Sequence, residues 1–455
     1  MPTVESFIAE NETRFLDELK QFLRIPSVSA VPEHRDDMAR CASFAADQMR
    51  SVGLTRVEVL PTGGHPLIYG EWLGAPGQPT ALVYGHYDVQ PVDPLDLWTT
   101  PPFDPQVRNN ELYARGSADD KGQVLMHWKA IEAHMRVNGR LPVNVKMIVE
   151  GEEEVGSENL DRFLERNRDL LKADVAIISD TSWFARGIPS ICYGVRGITY
   201  LQVDLKGPNS DLHSGSFGGA IANPIQVLAE MIAGLKDAHG RVKVPGFYDQ
   251  VRPISDEERR RFAALPFDEE EYRRELGVPA LFGEEGYSTL ERVWARPTLE
   301  INGIWGGFTG EGAKTVLPSG AHAKLSCRLV PDQDPEEITR LVEARLRELC
   351  PPTVTMDITR MHLGKPAVTP LDHPAVQAAA RAVEMAFQKE PAFIRTGGSI
   401  PVVASLADLL GLPSVLMGMA LPDDHAHAPD ERLDLGNFFG GIRAAAFLWE
   451  ELARK

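Results

Sequence analysis

Three short apolar runs, each opening into a polar cluster, constrain this chain more than any other feature of its sequence. Thr80–Tyr84, Val143–Val149 and Asp174–Ser179 are nearly continuous in apolar residues. A strand with one wet face alternates apolar and polar residues, so a run without alternation predicts a strand covered on both faces. Helical spacing fills the intervals. A helix is predicted to begin near Gly122, with Val124, Leu125, Trp128 and Ile131 on one side. The opening segment carries Phe7, Ile8, Phe15, Leu16, Leu19, Phe22 and Leu23 at helical spacing and stops at Ile25-Pro26, because a residue before proline is pushed out of the helical region. The expectation is an α/β domain around a mostly parallel sheet.

The pattern changes after Gly194. In Thr199–Leu205 and Ala321–Leu329, apolar residues alternate with polar ones, which predicts strands of a half-covered sheet and a separate α+β domain. A helix there starts with Asp334 as cap, Pro335 at the first position and Glu337 closing a capping box, and Pro351-Pro352 ends it. Asp256 to Glu275 is dense in charge and reads as a solvated helical excursion. The α/β character returns after Pro370, with a helix over Ala375–Phe387, a strand over Pro413–Met417 and a closing helix over Gly436–Leu452. The organisation expected is therefore one discontinuous domain, residues 1–194 and 367–455, with a second domain, residues 195–366, inserted into it.

Composition narrows the partners. The 455 residues carry 47 Lys plus Arg against 65 Asp plus Glu, a net charge of -18 that repels phosphate backbones and anionic membranes. No stretch reaches the apolar length of a membrane span, and the N-terminus lacks the basic and apolar regions of a signal peptide. Cys41, Cys192, Cys327 and Cys350 form no CxxC pair, which fits buried thiols in a reducing compartment. The cytoplasm is the expected location.

The chemistry lies in the clusters at the ends of the runs. His86-Tyr87-Asp88 follows the first strand, and Glu150 to Ser157, with Glu152, Glu153 and Glu154, follows another. Asp180 follows a third, Asp119-Asp120 sits in a glycine-flanked loop, and Asp423 to Glu431 adds His425 and His427. Each cluster alone reads equally as a satisfied core histidine, a helix cap at Asp120 or a solvated acidic face. Their recurrence at strand ends points to one shared crevice, where open α/β sheets place ligands. Histidine and carboxylate without thiolate make a mixed nitrogen–oxygen site suited to Zn²⁺, Mn²⁺ or Co²⁺. Two such ions with a bridging carboxylate acidify water and polarise a carbonyl, while an uncoordinated Glu moves the proton.

Four motifs carry a resemblance: His86-Tyr87-Asp88-Val89-Gln90-Pro91, Arg115-Gly116-x-x-Asp119-Asp120-Lys121-Gly122, Glu153-Glu154-x-Gly156-Ser157 and Ala426-His427. Together they resemble the co-catalytic metallopeptidases that include carnosinase, carboxypeptidase G, acetylornithine deacetylase and succinyl-diaminopimelate desuccinylase. Asp211-Leu212-His213-Ser214-Gly215, Gly312 to Pro318, Arg328-Leu329-Val330-Pro331 and Gly397-Gly398-Ser399-Ile400-Pro401 are similar to the carnosinase and cytosolic nonspecific dipeptidase branch. The resemblance implies a metallodipeptidase with two divalent ions per subunit, Zn²⁺ first and Mn²⁺ or Co²⁺ as alternatives. In it, Asp119 bridges the ions through a non-proline cis peptide to Asp120, His86 and Asp180 hold one ion, and Glu154 and His427 hold the other. Asp88 orients His86, and Glu153 is the general base. Thr315, Arg328, Gly398 and Ser399 receive the free carboxylate of a small peptide. His213 reaches the active site of a partner in a homodimer, the inserted domain serving as lid and dimerisation element.

Two departures bear on the substrate side. Thr396 stands where the dipeptidase branch usually has Glu, and Ala428 and Asp430 stand where Ser and Asn are usual. An N-acyl-amino-acid amidohydrolase is the nearest alternative within the same chemistry. A non-catalytic peptide-binding protein is the alternative from another class, opposed by the intact set of ligands and base.

Overall fold

The computed structural model describes residues 2–398 and 400–454, which divide into two compact units. The first comprises Met1–Tyr193, Thr369–Ile394 and Ser405–Lys455, and the second Gly194–Val368 and Arg395–Ala404. The short return at Arg395–Ala404 carries the Gly397-Gly398 motif into the second unit.

The large sheet runs in the order Arg56–Leu60, Leu67–Trp72, Asn144–Glu150, Thr80–His86, Val175–Ile178, Ser414–Leu416, Ser190–Val195, Ala367–Val368, with Ala392–Thr396 also beside Ser190–Val195. It is mixed, which corrects the expectation of a mostly parallel sheet. The four central strands, Asn144–Glu150, Thr80–His86, Val175–Ile178 and Ser414–Leu416, pair in parallel. The pairs flanking them are antiparallel. The physical reason lies in the connections, since a parallel neighbour needs a long crossover whereas Arg56–Leu60 and Leu67–Trp72 are joined by a short turn. The central strands are buried along nearly their whole length, as their unbroken apolar runs require.

The helix Lys121–Asn138 is buried on almost every side from Lys121 to His134 and ends at Gly139 in the left-handed region, φ 67°. Its Trp128 lies 5.4 Å from the Phe22 ring and donates Nε1–H to Met147 Sδ at 3.1 Å. Truncating a fully buried tryptophan of this kind costs about 3–5 kcal/mol. The opening segment is two helices, Val4–Glu10 and Glu12–Leu23, where one was expected. Asn11 breaks the run by donating its side-chain amide to the Phe7 carbonyl. The closing elements form Pro374–Phe387, Ser414–Leu416 and Leu435–Ala453.

The second unit is built on a four-stranded antiparallel sheet in the order Thr298–Gly306, Gly320–Leu329, Gly197–Lys206, Thr355–Gly364. Leu201, Val203, Leu205, Ala323, Leu325 and Cys327 point into a core shared with the helices Pro224–Ala233 and Pro335–Leu349. The latter helix starts as predicted at Asp334, whose carboxylate accepts from Glu337 N at 2.9 Å. The reciprocal half of the capping box is missing, because the Glu337 carboxylate pairs with Arg340. The charged excursion forms two largely exposed helices, Asp256–Ala263 and Glu269–Glu275. Cys41, Cys192 and Cys327 are buried, whereas Cys350, at the C-terminal end of a helix, is half-buried. Among the described residues no helix is long and apolar enough to cross a membrane.

Candidate metal centre

Because the four central strands run parallel, their C-terminal ends share one edge of the sheet, and the polar clusters that follow them converge there. His86 ends Thr80–His86, Glu153 and Glu154 follow Asn144–Glu150, Asp180 follows Val175–Ile178, and the loop bearing His427 follows Ser414–Leu416. Asp119 comes from the loop before Lys121–Asn138.

Two trios of donor atoms meet at this edge and share Asp119. His86, Asp119 and Asp180 form one, and Asp119, Glu154 and His427 the other, the donor atoms within each lying within 4.8 Å of one another. Asp119 divides its oxygens between them. Oδ1 lies 3.1 Å from His86 Nε2, and Oδ2 lies 2.9 Å from His427 Nε2. His86 Nε2 is 3.9 Å from Asp180 Oδ2, and His427 Nε2 is 3.1 Å from Glu154 Oε2. The donors are imidazoles and carboxylates, with no thiolate among them, a set that fits Zn²⁺, Mn²⁺ or Co²⁺. Glu153 belongs to neither trio.

The groups behind the donors fix their aim. His86 Nδ1 faces Asp88, 3.1 Å from its carbonyl and 3.4 Å from its carboxylate, which leaves Nε2 for the centre. The Asp88 carboxylate also accepts from Glu153 N and Glu154 N, at 3.3 and 3.1 Å, tying the two clusters together. Gln90 donates to Glu154 Oε2 at 2.8 Å. The Asp119-Asp120 peptide is cis. Asp120 does not cap the helix with its side chain, contrary to the simplest local reading. Its Oδ2 accepts from His86 N at 3.2 Å, and its Oδ1 is buried without a partner among the described residues. Gly122 is required by close approach, since a β-carbon there would lie 2.0 Å from the Ser117 carbonyl.

The loop carrying Asp119 is held by a residue that local sequence patterns do not single out. Glu431 is fully buried and accepts four hydrogen bonds. Oε2 takes Arg115 Nη1 at 2.7 Å and Gly116 N at 2.9 Å, and Oε1 takes Ala118 N at 3.0 Å and Asp119 N at 3.1 Å. The arginine is equally buried. The only sequence signal was a lone Arg before a glycine and an acidic pair, and a buried guanidinium needs a partner somewhere. In the same loop His425, His427 and Asp430 hold φ of 58°, 61° and 58°, the left-handed region that costs most L-residues about 1–2 kcal/mol. Asp430 tolerates it and receives Thr99 N at 2.9 Å and Thr99 Oγ1 at 2.5 Å. These bonds brace the loop.

The acids of the centre carry the mark of crowding. Burial, with the carboxylates of Asp180, Glu154 and Asp119 overriding the help of His86, pushes Glu153 up to about 9. Burial and Asp119 push Asp180 up to about 7. His86 is raised well above the usual imidazole range, because the Asp119 and Asp88 carboxylates override the burial that opposes its charge. Hydrogen bonds to Asp119 and Glu154 lift His427 to about 10. Buried carboxylates so close together call for cations, which supports the fit of the donor set to divalent ions.

The proposed substrate residues belong to the second unit. His213 is exposed, pairs with Val316 across a two-stranded ladder and accepts from Gly215 N at 3.0 Å. Thr315 adjoins it, its carbonyl accepting from Ser214 N. Arg328 is half-buried on Gly320–Leu329, and Gly398 lies in the loop after Ala392–Thr396. Ser399 lies outside the described residues.

Residues 82–451 match the sequence model of peptidase family M20/M25/M40. The Cys-Gly metallodipeptidase of Candida albicans is 34% identical, over 96% of this chain and 94% of its own length. The Beta-Ala-His dipeptidase of Homo sapiens is 33% identical, over 99% and 92%. Among solved structures, an M20 family metallo-carboxypeptidase from Sulfolobus solfataricus matches with a TM-score of 0.86 at 33% identity, over 96% of this chain and 99% of that one.

Proposed function

The chain belongs to peptidase family M20/M25/M40 and is a metallodipeptidase, and from that premise we propose how its residues divide the work. Asp119 would be shared by two divalent ions, Zn²⁺ first among the candidates, with His86 and Asp180 holding one and Glu154 and His427 the other. Ions held there supply Lewis-acid chemistry, polarising an amide carbonyl and acidifying water. Glu153, which belongs to neither trio, takes the proton from the attacking water and delivers it to the leaving amine nitrogen. Asp88 holds His86 in the tautomer that presents Nε2. The observation that carries this reading is the shared aspartate: one carboxylate with an oxygen in each trio, beside a half-buried glutamate in neither.

On the substrate side, Arg328, Gly398, Ser399 and Thr315 receive the free carboxylate of a small peptide. The second unit acts as lid and dimerisation element, and His213 serves the active site of the partner in a homodimer. The enzyme works in the cytoplasm. The alternative within the same chemistry is preference for N-acyl amino acids. Both readings keep the carboxylate contact and differ at the amine end of the substrate. Metal-free protein reloaded with Zn²⁺, Mn²⁺ or Co²⁺ and assayed on dipeptides against acetyl- and succinyl-amino acids separates them. Higher kcat/KM on the dipeptides is expected, and the reverse order transfers the assignment to the amidohydrolase.

A further inference from the structure

The loop assigned to the substrate carboxylate is tethered to an arginine that belongs to none of the motifs carrying the family resemblance. Arg196, at the start of the second unit, donates its backbone N–H to the Gly398 carbonyl at 3.1 Å and its Nε to the Gly397 carbonyl at 3.0 Å. A β-carbon on Gly397 would lie 2.9 Å from Arg196 Nη2 and 3.1 Å from the Val293 carbonyl, so the loop backbone lies close against the guanidinium. In a trans peptide the N–H points opposite the C=O. Anchoring the Gly397 carbonyl therefore also aims the Gly398 N–H, which donates to Thr396 Oγ1 at 3.3 Å.

Arg196 also brings charge. Its Nη1 is buried and has no hydrogen-bond partner among the described residues. Arg328 lies on the neighbouring strand, opposite Ile198, two residues beyond Arg196. Burial and the like charge of Arg328 push the Arg196 guanidinium down to about 10. Two half-buried cations in each other's field repel, and an anion bound beside them offsets that repulsion and gives an unused donor a partner.

We propose that Arg196 is a positioning residue for carboxylate recognition, pinning the Gly397-Gly398 turn and acting as a second guanidinium beside Arg328. This rests on the reading that Arg328 and Gly398 receive the substrate carboxylate.

The test compares Arg196→Gln, which keeps a donor and loses the charge, with Arg196→Lys, which keeps the charge and loses the planar fork. For each, kcat and KM are measured on one dipeptide and on its C-terminal amide, with metal content and thermal midpoint determined alongside. Arg196→Gln is expected to raise KM for the free acid roughly 10–100-fold with kcat little changed. Arg196→Lys should recover part of that loss, and kcat/KM for the amide should hardly move. Equal losses on acid and amide, a fall in kcat at constant KM, or no change at all would overturn the proposal. If Arg196→Gln fails to fold, the smaller acid-selective rise in KM expected of Arg196→Lys decides the matter. Arg328→Met, run in parallel, separates the two levels of inference. Acid preference lost there but kept in the Arg196 variants sinks the role of Arg196 alone. Preference kept in all variants sinks the carboxylate reading itself.

Discussion

Replacing Glu431 by Gln tests whether the centre depends on a carboxylate that never touches an ion. The wild-type side chain presents two oxygens to four donors: Arg115 Nη1 and the backbone N–H groups of Gly116, Ala118 and Asp119. Glutamine keeps the shape but offers one acceptor oxygen, and its NH₂ must face donors. It also leaves Arg115, 1% exposed, as an uncompensated buried charge. Breaking a fully buried pair from one side costs about 3–5 kcal/mol, and the misfaced donors belong to the same network, so their cost is not added separately. Because the Asp119 N–H is one of the four, the aim of the bridging carboxylate is disturbed as well, and a loss of roughly 10–100-fold in metal affinity is expected. The assay is urea unfolding of the metal-free protein together with chelator competition for the ions. The paired replacement Arg115→Met with Glu431→Leu should recover only the part of the stability lost to the unpaired charge, since the N–H groups of Gly116, Ala118 and Asp119 still lack an acceptor, and it should not recover the metal affinity. A Glu431→Gln protein with wild-type unfolding midpoint and wild-type affinity would refute the argument.

The same geometry fixes three further outcomes. Glu153→Gln should retain two ions per chain by elemental analysis yet lose about 10²–10⁴-fold in kcat, while Asp119→Asn should lose metal; the opposite pattern would exchange their roles. Inactive homodimers of His213→Ala and of Glu153→Gln should regain activity when mixed, because one of the two sites in a mixed dimer then carries neither defect; no recovery with heterodimers verified would remove His213 from the partner's site. Amidating the C-terminus of a good dipeptide should lower kcat/KM by about 2–3 kcal/mol, and Arg328→Met should impair the free acid while sparing the amide. Efficient cleavage of amidated or long peptides by the wild type would contradict that contact.

What the sequence determined by itself is what is encoded locally. Unbroken apolar runs marked the central strands, alternation marked Gly197–Lys206 and Gly320–Leu329, and Asp334-Pro335 marked the start of a helix to the residue. His86, Glu154 and Asp180 were legible for a related reason, since each lies at or just beyond the end of a readable strand and parallel strands bring the loops at their C-terminal ends to one edge. Only the tertiary structure decided the features that depend on distant partners. Period and burial are the same for parallel and antiparallel neighbours buried on both faces, so the mixed order of the sheet left no trace in the run lengths. The cap at Asp120 is a sound local choice, overridden because its carboxylate is taken by the His86 N–H. Glu431 reaches Arg115 across 316 positions, and Arg196 reaches Gly397 across 201. A hydrogen bond is specified by where two groups end up, and for such pairs chain position carries no signal until the fold has closed the loop between them.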